Sequence, residues 1–338
     1  MASTELSVII PVYNASGTIE RCVNSILNQS FQNFELILVN DCSKDNTLEV
    51  IQNYSENHGF IHVLNLTINK GVANARNEGM GMAKGKYVTF IDADDFVHPD
   101  YFNSAMENHE NFDLLITGLD VGNLDNFETH LPKPISAEDS LGIRDAYEML
   151  SSNKQLMWGP YNKFYLKELL LKHRIFFENY FGEDTIFVLK YFYGINSIKC
   201  IDYSGYFYIR DQTVKTISRG SDRPFKSLDK FLSTKVEVLN KINGKFNMAP
   251  IDMEDFSDKH LLIYLARFFA VYSKKYKIDR GHRKVLVKKL RSEKWTELYA
   301  KSNFNRKYNL LKPLILKLPV GIADFFLVIL FNQVYRTK

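Results

Sequence analysis

The sequence predicts an α/β domain built around a mostly parallel sheet, followed by a helical C-terminal domain. Three observations carry that reading. Short apolar runs of strand length alternate with helix-period segments through the N-terminal part of the chain. One of these runs, Tyr87–Ile91, is β-branched and aromatic and delivers Asp92, Asp94 and Asp95 in quick succession. From Pro224 onward strand signals give way to long helical patterns rich in Lys and Arg. A chain of 338 residues that is 45% hydrophobic can bury a sizeable core and is expected to form two domains, here 1–222 and 223–338.

Leu6–Val12 is a continuous apolar run, typical of a strand covered on both faces; Pro11 lacks a ladder donor, so the strand ends there and Tyr13-Asn14 begin a loop. Ile19, Val23, Ile26 and Leu27 recur at helical spacing, with Ser16 or Thr18 as the cap. Phe34–Asn40 is a second buried strand, closed by the turn and cap chemistry of Asp41–Thr47, which leads into a helix over Leu48–Tyr54. Ile61–Asn65 reads as a third strand, Val72–Ala83 as a helix and Tyr87–Ile91 as the fourth strand. Short connections between alternating strands and helices imply right-handed crossovers.

Ligands of such sheets sit beyond the carboxyl ends of the strands. Those ends carry Tyr13 and Asn14, then Asp41 and Ser43, then Asp92 and Asp94. A ring that can stack on a base, a carboxylate that can accept a base N–H and a metal-type acidic cluster make a nucleoside diphosphate site. The plain alternative is a solvated acidic loop before the next helix, where carboxylates are favoured. A dinucleotide fingerprint is absent, because Gly79-Met80-Gly81 falls inside a helical pattern, and no P-loop is present.

The motifs VIIPVYN, VNDCSKDNT, NKGVANARNEGMGMAKGKYVTFIDADD and the later GED, in that order, resemble the inverting family 2 glycosyltransferases, whose fold is the Rossmann-like GT-A domain. The resemblance implies that Pro11, Tyr13, Asn14, Asp41, Ser43 and Arg76 line the nucleotide site. It makes Asp92, Ala93 and Asp94 the Asp-x-Asp element, with Asp94 the more direct ligand of a divalent metal, Mn2+ or Mg2+. Asn40 departs from the pattern, since many members carry an acid there. Arg76 has an ordinary alternative as an exposed helix residue paired with a surface acid.

Asp113–Gly118 reads as another strand, Leu119–Ser140 as an insertion of loops and short strands, and Asp145–Asn153 as a short helix. Trp158–Tyr165 is aromatic-rich; such rings fill cores but also bind the apolar faces of sugars. The family has a similar Trp…Asn-Lys element before a Leu-rich helix, here Leu166–His173, which puts Trp158 and Lys163 on the acceptor side. Glu183-Asp184 opens an apolar helix over Ile186–Tyr193. An acid there caps free N–H groups; it can equally act as general base on an acceptor hydroxyl. Neighbouring helical residues do not share a face. By the resemblance the base is Asp184, with Glu183 beside it. Ser197–Arg210 alternates like a strand or hairpin, and the family's Tyr-x-Arg…Ser element makes Arg210, Ser218 and Arg219 candidates to stabilise the leaving diphosphate.

Charge is uneven. Lys274–Lys338 holds 17 Lys and Arg against 4 Asp and Glu, a balance of +13, so with a chain total of +4 the remainder carries −9. A basic rear points to an anionic surface as partner, a membrane rather than nucleic acid, or else to a solvated helical face. Pro313–Phe331 is the most apolar stretch, but Lys317, Pro319 and Asp324 interrupt it well short of the ~20 residues that span a bilayer. It reads either as a packing or oligomer-forming helix or as one lying in the membrane interface. Three distant cysteines and a start that runs straight into a strand imply a cytosolic setting with reduced thiols, at the inner face of the cell membrane if the rear docks there.

The reading is therefore an enzyme that moves a sugar from a nucleotide donor, UDP-linked by the family's habit, to a hydroxyl of a saccharide or lipid-linked acceptor. Two rivals differ in class. A nucleotidyltransferase would need a Gly-rich basic loop after the first strand, which PVYNASG is not. A non-catalytic carbohydrate- or nucleotide-sugar-binding scaffold would have had no reason to keep Asp41, Asp92, Asp94 and Asp184 together.

Overall fold

The structure is a computed structural model that describes residues 4–107, 112–180, 182–210, 223–249, positions 281, 284, 287 and 288, and 317–334. The first part follows the predicted alternation: β1 (Leu6–Val12), α1 (Ile19–Leu27), β2 (Phe34–Asn40), α2 (Thr47–Asn57), β3 (Ile61–Asn65), α3 (Val72–Met82) and β4 (Tyr87–Phe90). Then come β5 (Phe96–Val97), α4 (Tyr101–Met106), β6 (Leu114–Ile116), β7 (Leu119–Asn123), β8 (Asn126–His130), β9 (Ile135–Ala137), α5 (Ser140–Ser152) and α6 (Lys154–Met157). The remainder is β10 (Lys163–Leu166), α7 (Lys167–Lys172), α8 (Glu183–Gly194), β11 (Ile198–Cys200), β12 (Tyr206–Ile209), α9 (Arg223–Lys245) and α10 (Val320–Val334).

Among the described residues one sheet has eight strands in the order β3-β2-β1-β4-β10-β6-β11-β9, and a second has β5-β12-β7-β8. β3, β2, β1 and β4 are parallel, and every residue of β1 and β2 is buried, as their unbroken apolar composition requires. Register sets the edge. Val12 lies opposite Asn40 and Ile9 opposite Phe90, so the chain leaves β1, β2 and β4 along one rim and releases Tyr13, Asp41 and Asp92 there. Gly79 is needed where it stands, because a Cβ would meet Ile9 Cγ2 at 2.5 Å; its absence lets α3 lie directly on β1.

Two expectations change. β10 runs antiparallel between β4 and β6, a strand hidden in the stretch read as the approach to a helix; its Lys at the first position masks an otherwise aromatic strand. Ser197–Arg210 is not a hairpin: β11 joins the large sheet and β12 the small one, because Tyr203 and Gly205 instead bond across to Gly118 and His98.

The chain divides into two compact units. The first holds the described residues up to 210 together with 233–249, where Ile242 and Phe246 are buried and the Phe246 ring lies 6.1 Å from Phe192 of α8. The second holds the remaining described residues, α10 among them. Much of the helical pattern expected after Pro224 lies outside the described residues, which there comprise 223–249, four positions between 281 and 288, and 317–334.

Candidate active site

The rim loops are stitched together before any ligand arrives. Asn14, at φ 49°, donates its N–H to Ser43 Oγ at 3.0 Å, and its Oδ1 accepts from Lys44 N–H at 2.7 Å. Ser43 in turn donates to Asn40 Oδ1 at 2.5 Å, while Asn40 Nδ2 donates to Asn65 at 2.8 Å. Asn40, the departure noted in the sequence, thus uses both ends of its amide, and a carboxylate there would lack the donor that reaches Asn65. Asp41 is only 3% exposed, and its two oxygens accept from the N–H groups of Lys70 (2.8 Å) and Gly71 (2.7 Å). Gly71 sits at φ 91°, a backbone other residues rarely adopt, and this turn starts α3. Pro11 is buried in β1 and Tyr13 is half-buried at its end.

Arg76 of α3 is the cationic hub. It is 5% exposed, and its Nη2 donates to Asp92 Oδ1 at 2.8 Å. Its guanidinium carbon lies 5.2 Å from the Phe177 ring centre. Burial works against its charge, but Asp92, Glu183 and Asp184 together outweigh burial and raise its pKa. The ordinary exposed-helix reading of Arg76 does not hold.

The start of α8 is fixed to α3 by Asn77, which donates to Phe177 O at 2.8 Å and accepts from Phe177 N–H at 2.9 Å. Phe177 stacks on Phe187 of α8 at 3.8 Å between ring centres, with Phe90 of β4 edge-on to both. This apolar block sets Glu183 and Asp184 in the field of Arg76. Both acids are half-buried. Burial, then the Asp184 charge, pushes Glu183 up to about 7. Burial likewise raises Asp184, against the pull of Arg76. Asp184 Oδ1 accepts from Thr185 N–H at 2.7 Å, which satisfies one free N–H in the first turn of α8.

The three acids after β4 separate by environment. Asp95 is fully buried, takes the Tyr206 hydroxyl at 2.7 Å and Ile209 N–H at 2.8 Å, and so ties the turn to β12. Asp92 and Asp94 stay half-buried toward the rim, and burial followed by the Asp92 charge pushes Asp94 up to about 6. A carboxylate pair strained in this way, at a strand end, fits a hard divalent cation. Among the described residues no group of three His, Cys, Asp or Glu is placed to hold a metal. The protein would then supply one or two carboxylates, leaving the rest to diphosphate and water, as Mg2+-type sites do.

Lys163, Trp158 and Arg210 each have protein partners of their own. Lys163 is fully buried, and its ammonium donates to the carbonyls of Leu156 (2.6 Å) and Gly159 (2.8 Å) and to Asn162 Oδ1 (3.0 Å); burial pushes its pKa down to about 7. It organises the 156–162 loop from beneath, and none of it is exposed. Trp158 carries the Lys235 ammonium 4.7 Å over its ring. Arg210 is exposed at the end of β12 and donates to Gln155 at 2.7 Å, with its guanidinium 5.8 Å from the Tyr208 ring centre. Ser218 and Arg219 lie outside the described residues.

Sequence reading missed the tyrosines. Tyr161 stands 5.5 Å from Tyr206 and 5.0 Å from Tyr208, ring centre to ring centre. Burial raises the Tyr161 hydroxyl first, then the charges of Tyr208, Asp184 and Asp92, which places this ring in the same acidic basin. The period-2 spacing of Tyr206, Tyr208 and Arg210 was the available sign that they share a face. Arg21 of α1 was missed too: its Nη2 donates to the Asp94 carbonyl at 2.5 Å, and its guanidinium lies 5.5 Å from the Phe96 ring centre.

The acidic strand-end cluster of the mixed sheet thus shares its field with a buried arginine and two helix-start carboxylates. The Glycosyl transferase family 2 model matches residues 7–178, just over half of the chain, and the chain belongs to that family. The glycosyltransferase EpsJ of Bacillus subtilis is 27% identical over 268 residues, 78% of this chain and 75% of that protein. The teichuronic acid biosynthesis glycosyltransferase TuaG of the same organism is 39% identical over 143 residues, 42% of this chain and 56% of that protein. Among solved structures, S. aureus TarS 1-349 in complex with UDP-GlcNAc superposes with a TM-score of 0.60 at 21% identity, covering 98% of this chain and 92% of the other. That likeness shows the GT-A fold. The protein is a glycosyltransferase, and Glu183, Asp184 and Arg210 lie beyond the stretch that the family model matches.

Proposed function

We propose that this enzyme transfers a sugar, with inversion, from a UDP-linked donor to a hydroxyl of a saccharide or lipid-linked acceptor of a bacterial envelope polysaccharide. The observation that carries the reading is the convergence of Asp92, Glu183 and Asp184 on the buried guanidinium of Arg76. The UDP donor follows the likeness to TarS, and the polysaccharide acceptor follows relatives such as TuaG.

Arg76 holds Asp92 in one orientation while it faces the donor. Tyr13 offers a ring to the base, with Asn14 and Ser43 bracing its loop. Asp184 takes the acceptor hydroxyl proton as the new bond forms at the anomeric carbon and the bond to the diphosphate oxygen breaks on the opposite face. A divalent cation held by Asp94 and Asp92 would supply positive charge against the departing diphosphate. Arg210 can add to that charge from β12. Glu183, pushed up to about 7 by burial and the Asp184 charge, adds less repulsion to Asp184 and Asp92 than a fully ionised acid would.

The test is a donor panel: purified protein with Mn2+ or Mg2+ and a set of nucleotide sugars, following nucleoside diphosphate release with and without EDTA. One UDP-sugar should be hydrolysed or bound with metal, and EDTA should abolish it. Equal release in EDTA would exclude the metal, and no binding of any nucleotide sugar would exclude the reaction.

Arg21 gives a second expectation. Arg21→Met removes the charged donor that pins the Asp94 carbonyl, a bond worth ~1.5 kcal/mol. Affinity for UDP in the presence of Mn2+ should fall about tenfold by calorimetry, with metal-free UDP binding changed little. A uniform loss in both conditions would mean that Arg21 supports the fold alone.

A further inference from the structure

α10 is apolar nearly all round, yet over residues 320–327 only one stripe of it is covered. Ala323 and Leu327 are fully buried, while Ile322, Phe325 and Phe326, at i, i+3 and i+4, are 45%, 58% and 43% exposed. A water-soluble helix normally gives its outward face to polar residues, so three large apolar side chains side by side on that face call for a cover. The helix has 15 residues, about 22 Å, and no described helix is long and apolar enough to cross a membrane. The cover must therefore lie along α10 rather than around it.

Charge selects among the possible covers. Lys317 is exposed just before the helix, and Lys284 reaches its first turn, with Cε 3.9 Å from where a Cβ on Gly321 would stand. Lys288 is exposed one turn on from Lys284. Lys274–Lys338 as a whole carries 17 Lys and Arg against 4 Asp and Glu. A second copy of this chain laid on the same face would bring these cations together, and nothing of opposite sign is abundant in the segment to answer them. An anionic lipid surface answers both features at once: the phenylalanines enter the headgroup boundary and the lysines meet the phosphates.

We propose that the exposed Ile322–Phe325–Phe326 face of α10, with Lys284 and Lys317 beside it, docks this protein on an anionic membrane surface. The site is independent of the sugar-transfer chemistry, so its test stands or falls without knowledge of donor or acceptor.

The experiment is flotation of the full-length protein with phosphatidylcholine vesicles and with vesicles that also contain phosphatidylglycerol, at low and high salt. The protein should float with anionic vesicles about tenfold more than with neutral ones, and high salt should erase most of the difference. The double substitution Phe325→Ser/Phe326→Ser should lower anionic flotation about tenfold while the circular dichroism spectrum stays unchanged. Lys284→Gln/Lys317→Gln should reduce the salt-sensitive part. Equal flotation with both vesicle types, none with either, or wild-type flotation of the double phenylalanine variant would overturn the proposal. A concentration-dependent dimer by light scattering that the phenylalanine variant dissociates would overturn it too, by making a second copy the cover.

Discussion

Replacement of Asp184 by Asn is expected to remove transfer while leaving the donor in place. General-base catalysis contributes roughly 10²–10⁴-fold, so kcat should fall by that factor and UDP binding with metal should stay within about twofold. Asn is the right probe because its Oδ1 can still accept the Thr185 N–H that Asp184 now takes, which preserves the first turn of α8. The substitution also removes a like charge beside Glu183, so the thermal midpoint at neutral pH should hold or rise. The pH profile adds an independent check. Asp184 acts as base only when ionised, and burial raises its pKa above the ordinary aspartate range. The wild-type rate should therefore fall as pH drops through that raised value, on the alkaline side of where a solvated aspartate would titrate. Glu183→Gln separates the two acids: it should lower the rate only a few-fold. Transfer that survives in Asp184→Asn and vanishes in Glu183→Gln would reverse the assignment.

The parts of this architecture that the sequence disclosed are those encoded by local pattern. β1, β2 and β3 come out at the residues expected, because buried parallel strands are continuous apolar runs closed by turn residues; Pro11, expected to end β1, instead sits inside it opposite Val39, and the strand runs on to Val12. The strand-end rule then located Asp41, Asp92 and Asp94 before any contact was known. What stayed hidden is what depends on distant partners. Asp41 reads as a free carboxylate in sequence, yet its oxygens are on the amides of residues 70 and 71, twenty-nine and thirty positions away. Asp95 looks like a third metal acid until Tyr206 and Ile209 are found on its two oxygens. β10 escaped because its opening residue is Lys163, whose charge suggests a surface and whose ammonium is satisfied by carbonyls of its own loop.

The same distinction explains Arg76, whose sequence context alone left an exposed ion pair as an alternative. Its removal is the most damaging single change expected in the first unit. Arg76→Met leaves Asp92 without its donor and the Glu183–Asp184 pair without the cation that opposes their burial. Breaking a buried ion pair from one side costs about 3–5 kcal/mol, and here several acids share the loss. The cost must depend on pH, with a sign that identifies it. Burial pushes Glu183 up to about 7 in the folded chain and raises Asp184, and losing Arg76, whose charge pulls both down, pushes these two acids higher. Carboxyls raised on folding favour the native state while they are protonated and lose that contribution as pH rises through the folded value. The variant should consequently unfold in urea close to wild type near pH 5 and progressively earlier toward pH 8, with UDP binding lost over the same range. Arg76→Lys keeps the charge but not the planar fork, and should fall between the two. A deficit that is the same at pH 5 and pH 8 would show that Arg76 acts through packing on Phe177, not as the counter-charge of the site.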